Sequence, residues 1–129
     1  MNINDNRYDT QFGALYMPNR NVLLRQIGPH YAGQVENIRP QLIKIAQDVD
    51  IFIKPKNASK TQGSGFLVKI TEALECPLKR LLGSDKGYVS AFASFDECFN
   101  SGKTMSSILL EKTIAAKENF LNYNQNPNY

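Results

Sequence analysis

The chain has 129 residues, 42% apolar and 21% charged, with 15 Lys and Arg against 12 Asp and Glu. That length suits one domain burying roughly two-thirds of its unfolded surface, and the composition excludes disorder of the whole chain. A net charge of +3 falls short of the ~6–10 phosphates that a duplex-tracking protein neutralises, which excludes duplex nucleic acid as the expected partner.

In chain order, Asn19 is placed to cap a short helix carrying Val22, Leu23, Leu24 and Ile27, ended by Gly28-Pro29. From Tyr31, the residues Tyr31, Val35, Ile38, Leu42, Ile45 and Val49 are spaced 4, 3, 4, 3 and 4, one helical stripe. Pro40 breaks that stripe by removing a backbone donor. The pattern predicts one helix to Ile38 and a second from Pro40 to Asp48. Asp50 to Lys54 predicts a strand, with Phe66 to Ile70 as its antiparallel partner. Thr71 is placed to cap a helix with Ala73, Leu74, Leu78, Leu81 and Leu82, kinked or restarted at Pro77 and closed by Gly83. In Tyr88 to Phe99, the spacings of Val89, Phe92, Phe95 and Phe99 predict a buried helix. Thr104 begins the last helix, through Leu121, with Met105, Ile108, Leu109, Ala115, Ala116 and Phe120 inward and Lys112, Lys117 and Glu118 outward. Residues 122–129 read as a flexible tail or linker. The expected fold is α+β: a helix-rich single domain over residues 1–121, with five or six helices and a small antiparallel β-hairpin. An all-α bundle follows if Asp50 to Ile70 is irregular.

Between the two predicted strands runs KPKNASKTQGSG, Lys54 to Gly65. It holds Lys54, Lys56 and Lys60, the hydroxyl of Ser64 among other polar donors, and no acid. Such a loop suits an anion such as a phosphate, although a solvated hairpin connection accounts for the same residues. Residues 39–86 carry nine bases and five acids, whereas residues 1–38 carry three of each. The positive charge therefore belongs to the middle of the chain.

Three tyrosines fall early, Tyr8, Tyr16 and Tyr31. Two tyrosines gripping an adenine beside lysines on its phosphate would make a small-nucleotide site, since a stacked base is worth ~1–3 kcal/mol. The plainer reading packs these rings over the core. The nine residues YDTQFGALY, with the Asn/Lys/Ile bias of the chain, resemble the small KLAMP modules of secreted Legionella effectors. That resemblance implies adenine-nucleotide binding with Tyr8 and Tyr16 as the stacking pair.

Other chemistry is weakly provided for. Ser101-Gly102-Lys103-Thr104 matches only the second half of a phosphate-binding P-loop, and Glu97 stands where its first glycine belongs. His30 is the single histidine and reads as a loop residue beside Gly28-Pro29. Cys76 and Cys98 are 22 residues apart, so they form no C-x-x-C pair and read as reduced thiols. An enzyme would need Asp48, Asp50 or Glu97 to meet His30 or a cysteine in a cleft. No catalytic residue, metal site or cofactor is expected.

The reading is a non-enzymatic binding or interaction module, of a kind that fits a bacterial effector. It recognises a protein partner or a small anionic ligand, with Tyr8, Tyr16, Lys54, Lys56, Lys60 and Ser64 as candidate site residues. Adenine-nucleotide binding and weak adhesion to an acidic membrane surface are the alternatives. The N-terminus shows no secretory signal and the longest apolar runs are about four residues. The expected location is the cytoplasm, or a host cytosol reached without a conventional signal peptide.

Overall fold

The computed structural model describes residues 13–58, 63–73 and 87–124. Strands β1 (Leu15–Tyr16), β2 (Val49–Lys56), β3 (Gly65–Glu72) and β4 (Val89–Ser94) form one open sheet in the order β1-β2-β3-β4. β1 runs parallel to β2, and the other neighbours are antiparallel. The helices among the described residues are α1 (Arg20–Asn37), α2 (Arg39–Ile45), α3 (Phe95–Ser101) and α4 (Met105–Asn124). The fold is α+β, and the expected hairpin, β2 with β3, is the centre of a four-stranded mixed sheet.

Side chains alternate across a pleated strand, and here the alternation sorts two faces. β2 turns Val49, Ile51 and Ile53 inward, and β3 turns Phe66, Val68 and Ile70 the same way, all buried. The register sets Ile51 beside Ile70, Ile53 beside Val68 and Ala93 beside Phe66. These side chains meet Leu23 and Val35 of α1, Leu42 of α2, and Met105 and Leu109 of α4 in one core. The helices thus cover one face of the sheet. The opposite face carries the polar half of the alternation.

α1 is two helical segments joined at Gly28, whose φ of 84° and ψ of 165° are non-helical. A positive φ is cheap only for glycine, and Pro29 then restarts the helix. The expected break at Gly28-Pro29 is present, and so is the Asn19 cap, whose Oδ1 accepts the Val22 N–H at 3.0 Å. His30 lies inside α1 rather than in a loop.

Several further local expectations are corrected. Thr71 does not cap a helix, because it lies with Glu72 at the end of β3, paired opposite Asp50; the predicted helical residues Leu74 to Gly83 lie outside the described residues. The stretch from Tyr88 to Phe99 is not one helix but β4 followed by α3. Its aromatic spacing of 3 and 4 arises because Phe92 points off the outer sheet face while Phe95 opens the helix. In α4, Ala115 is exposed and Thr113 is buried instead, with the Thr113 hydroxyl donating to the Leu109 carbonyl at 2.7 Å. α4 also runs on to Asn124, past the expected end at Leu121.

The switch from β4 to α3 has a local cause. Ser94 Oγ accepts the Asp96 N–H at 3.0 Å, while Glu97 Oε1 accepts the Ser94 N–H at 2.9 Å. This reciprocal box satisfies donors that an uncapped helix start leaves open. Ser94→Ala is expected to cost about 1 kcal/mol, the usual worth of such a cap. Urea unfolding monitored by circular dichroism reads it directly, and an unchanged midpoint would count against the cap.

β1 is held mainly by backbone. The Gly13 N–H donates to the Gln47 carbonyl at 3.1 Å, and the Ile51 N–H donates to the Ala14 carbonyl at 2.9 Å. Fully buried Asp50 accepts the Ala14 N–H on Oδ1 at 3.0 Å. This clamp brings Tyr16 onto the outer face beside Phe52.

Candidate functional site

The outer face of the sheet holds a concavity of about 490 Å³ lined by Tyr16, Phe52, Lys54, Leu67, Lys69, Tyr88 and Ser90, with Ile53 contributing beneath. Strand pairing generates it. Tyr16, Phe52, Lys69 and Ser90 form one row across the four strands, and Lys54 lies beside Leu67 one step along. Lys54 and Lys69 are diagonal neighbours, so their backbones are about 7–8 Å apart and their long side chains can reach one anion.

The rings are ordered around these lysines. Tyr16 stacks on Phe52 with centroids 4.6 Å apart and planes 11° off parallel. Lys69 Nζ sits 4.5 Å from the Tyr88 ring centroid and 6.0 Å from that of Phe52. Such contacts position an ammonium without neutralising it. Neither Lys54 nor Lys69 is ion-paired among the described residues. The acid at an outward strand position among them, Asp50, is buried and engaged with Ala14. The face is therefore basic, aromatic and open, with Tyr88 62% exposed.

The expected site residues divide accordingly. Tyr16 and Lys54 line the hollow, and Lys56 is exposed two residues further along the same face of β2. Ser64 is not among the lining residues; its carbonyl accepts the Phe95 N–H at 3.0 Å and so aligns β3 with the start of α3. Tyr8 and Lys60 lie outside the described residues. Lys54 and Lys56, expected on the connecting loop, lie on β2, with Lys54 diagonal to Lys69 of β3. Phe52, Leu67, Lys69, Tyr88 and Ser90 were not expected. The alternation in Ile51-Phe52-Ile53-Lys54 and Leu67-Val68-Lys69-Ile70 is the signal that marks most of them. Once the aliphatic residues are assigned inward, Phe52, Lys54, Leu67 and Lys69 must share the other face.

The other chemistry-bearing groups are engaged elsewhere. His30 Nε2 shares a hydrogen bond with Gln34 Nε2 at 3.0 Å, and Gln34 Oε1 accepts the Met105 N–H at 2.8 Å. Asp48 pairs with Lys117 at 2.8 Å, and Glu97 pairs with Lys112 at 3.2 Å. The Arg39 guanidinium, hydrogen-bonded to Glu36, holds that carboxyl below its usual range. Burial, helped by the neighbouring Glu97 charge, pushes the Cys98 thiol up. Its Sγ lies 3.6 Å from Met105 Sδ. A thiol with a raised pKa is a poor nucleophile near neutrality.

Lys103 at the start of α4 pairs with Glu111 at 3.1 Å, and Thr104 Oγ1 accepts the Ser107 N–H at 3.2 Å. These contacts make it an ordinary capped helix start. Among the described residues, no group of three or more His, Cys, Asp and Glu side chains is arranged to hold a metal ion, and no helix is long and apolar enough to cross a membrane. Compared with protein-family models, curated proteins and solved structures, the chain matches none.

Proposed function

We propose that this chain is a non-enzymatic binding module whose open sheet face receives a small anionic ligand bearing a planar ring, of the chemical class of a nucleotide. One observation carries the reading: Lys54 and Lys69, neither ion-paired among the described residues, sit diagonally between aromatic rings in a hollow of about 490 Å³. That volume falls within the range of small-ligand sites, ~300–1,000 Å³. A phosphate bound between β2 and β3 accepts charge-assisted hydrogen bonds from both lysines, which stand at diagonal positions of the two strands. The ring rests against an exposed tyrosine, Tyr88 or Tyr16.

Magnitudes support a modest affinity. Hydrogen bonds to charged groups contribute ~1.5–3 kcal/mol each and one stacking contact ~1–3 kcal/mol. Their sum, about 4–9 kcal/mol, brackets dissociation constants from ~1 mM to about 1 µM.

Thermal unfolding with AMP, ADP, ATP, adenosine and inorganic phosphate tests the proposal. A nucleotide at about 100 times its Kd adds about 2.7 kcal/mol, so ADP or ATP raises the melting temperature while adenosine or phosphate alone raises it less. No shift with any nucleotide at millimolar concentration removes the reading. An equal shift with phosphate alone removes the ring from it.

A further inference from the structure

Besides the hollow, the sheet presents its β4 edge. In an antiparallel ladder, alternate residue pairs exchange hydrogen bonds, and the residues between them point their backbone groups the other way. The Phe95 N–H donates to the Ser64 carbonyl at 3.0 Å. With the β3–β4 register, this makes Phe66 with Ala93, Val68 with Ala91 and Ile70 with Val89 the bonded pairs. Ser90, Phe92 and Ser94 therefore aim their N–H and C=O groups out of the sheet edge. Ser94 agrees with this phase, because its N–H is turned to Glu97 Oε1 at 2.9 Å.

Edges are ordinarily blunted by charge, proline or a bulge. Val89–Ser94 reads VSAFAS, which has no charge and no proline, and its pairing with β3 is continuous through all six residues. Among the described residues, nothing pairs with the outward backbone of Ser90 or Phe92. An unblunted row of this kind is a template for another strand.

We propose that β4 pairs antiparallel with β4 of a second copy of this chain, joining two four-stranded sheets into one. The register follows from the groups on offer. Ser94 has already committed its N–H to Glu97, so the pairing centres on Ser90 and uses Tyr88, Ser90 and Phe92. Tyr88 then stands opposite the partner's Phe92 on the outer face, an aromatic cross-strand pair of the favourable kind. On the inner face the small side chain of Ala91 falls beside the partner's Val89.

Charge does not oppose this arrangement. Lys69 and the partner's Lys69 lie three strand spacings apart, about 14 Å, beyond the ~8 Å over which physiological salt leaves such repulsion unscreened. An uncharged edge meets a copy of itself without repulsion, and nothing along it selects an oppositely charged peptide. The inference rests on the phase of the ladder and is independent of the ligand.

Sedimentation equilibrium of the whole chain from about 10 µM to about 1 mM is the test. The expected mass rises with concentration from the 14.5 kDa monomer toward its double. Ser90→Pro removes an outward N–H that β3 does not use, a place where a strand tolerates proline, and Phe92→Lys places a charge on the edge. Both are expected to weaken association at least tenfold while far-ultraviolet circular dichroism stays unchanged. Ser90→Cys serves if either variant misfolds. Opposed Cα atoms in the pairing fall within the ~4.4–6.8 Å of a disulfide, so mild oxidation is expected to yield a covalent dimer beyond the wild-type background. A wild-type chain that stays monomeric throughout, a dimer unaffected by the folded variants, or a Ser90→Cys chain that never cross-links overturns the proposal.

Discussion

Reversing both site lysines, Lys54→Glu with Lys69→Glu, is expected to abolish nucleotide binding while leaving the fold intact. Each lysine contributes a charge-assisted contact of about 1.5–3 kcal/mol, and the introduced carboxylates add repulsion of the phosphate. A combined loss of about 4 kcal/mol corresponds to roughly a thousandfold rise in Kd, beyond practical detection for a ligand of micromolar affinity. Both side chains are exposed, so the cost to stability is small. It amounts to the Lys69 contact with Tyr88, about 0.5–1 kcal/mol. Lys44→Glu, on an exposed position of α2, makes the same kind of charge reversal once, away from the hollow, and supplies the control for each single site variant. Isothermal titration with ADP reads the difference. Equal affinities for the double variant and the wild type would remove the hollow from the mechanism, even if the protein bound nucleotides somewhere else.

Gly13→Ala is expected to be strongly destabilising at the site's edge. A Cβ at Gly13 would collide with the backbone oxygens of Ala46 and Val49 and crowd the Val49 nitrogen. None of these can rotate away as a flexible side chain would. Relief requires β1 to move off β2, which sacrifices the Gly13 bond to Gln47 and strains the Ala14 contacts with Ile51 and Asp50. Overpacking of this sort costs about 1–3 kcal/mol, occasionally more. With a typical unfolding entropy per residue, a loss of about 2.5 kcal/mol lowers the melting temperature by roughly 9 °C in a chain of this size. The second consequence is functional. Tyr16 leaves its place on Phe52, so ligand affinity falls even at temperatures where the variant is folded. A variant that melts within about 2 °C of the wild type would show that β1 is not held as tightly as its contacts imply.

Capping and turn chemistry made parts of the fold legible. Asn19, the Gly28-Pro29 break and the Thr104 helix start are local devices, set by side chains bonding to backbone within a few residues. β2 and β3 were also legible, because their apolar residues are β-branched or aromatic and flank a polar, glycine-bearing connection. β4 was misread for a physical reason. Val89, Phe92, Phe95 and Phe99 mimic one helical face, yet they belong to a strand and a helix joined at Ser94. Ser94 and Glu97, three residues apart, were the readable sign of a new helix beginning there.

The candidate site was half legible. Tyr16 and Lys54 were marked by residue type, and both line the hollow. Lys69 and Tyr88 could not be joined to them from spacing, since 53 positions separate Tyr16 from Lys69 and only sheet order sets them in a row. Lys54 and Lys56 were expected on the loop; they lie instead on β2, because alternation puts every second residue of β2 and β3 on the side away from the core.

The amino-acid order by itself determined the α+β class, the central antiparallel pair and the basic character of the middle of the chain, because these depend on contacts and composition local to each segment. Tertiary structure alone decided that β1 joins β2 in parallel, that β4 forms the far edge, and that two lysines and two tyrosines border one hollow. Those outcomes depend on pairings between distant segments, which register and helix packing select and no local pattern encodes.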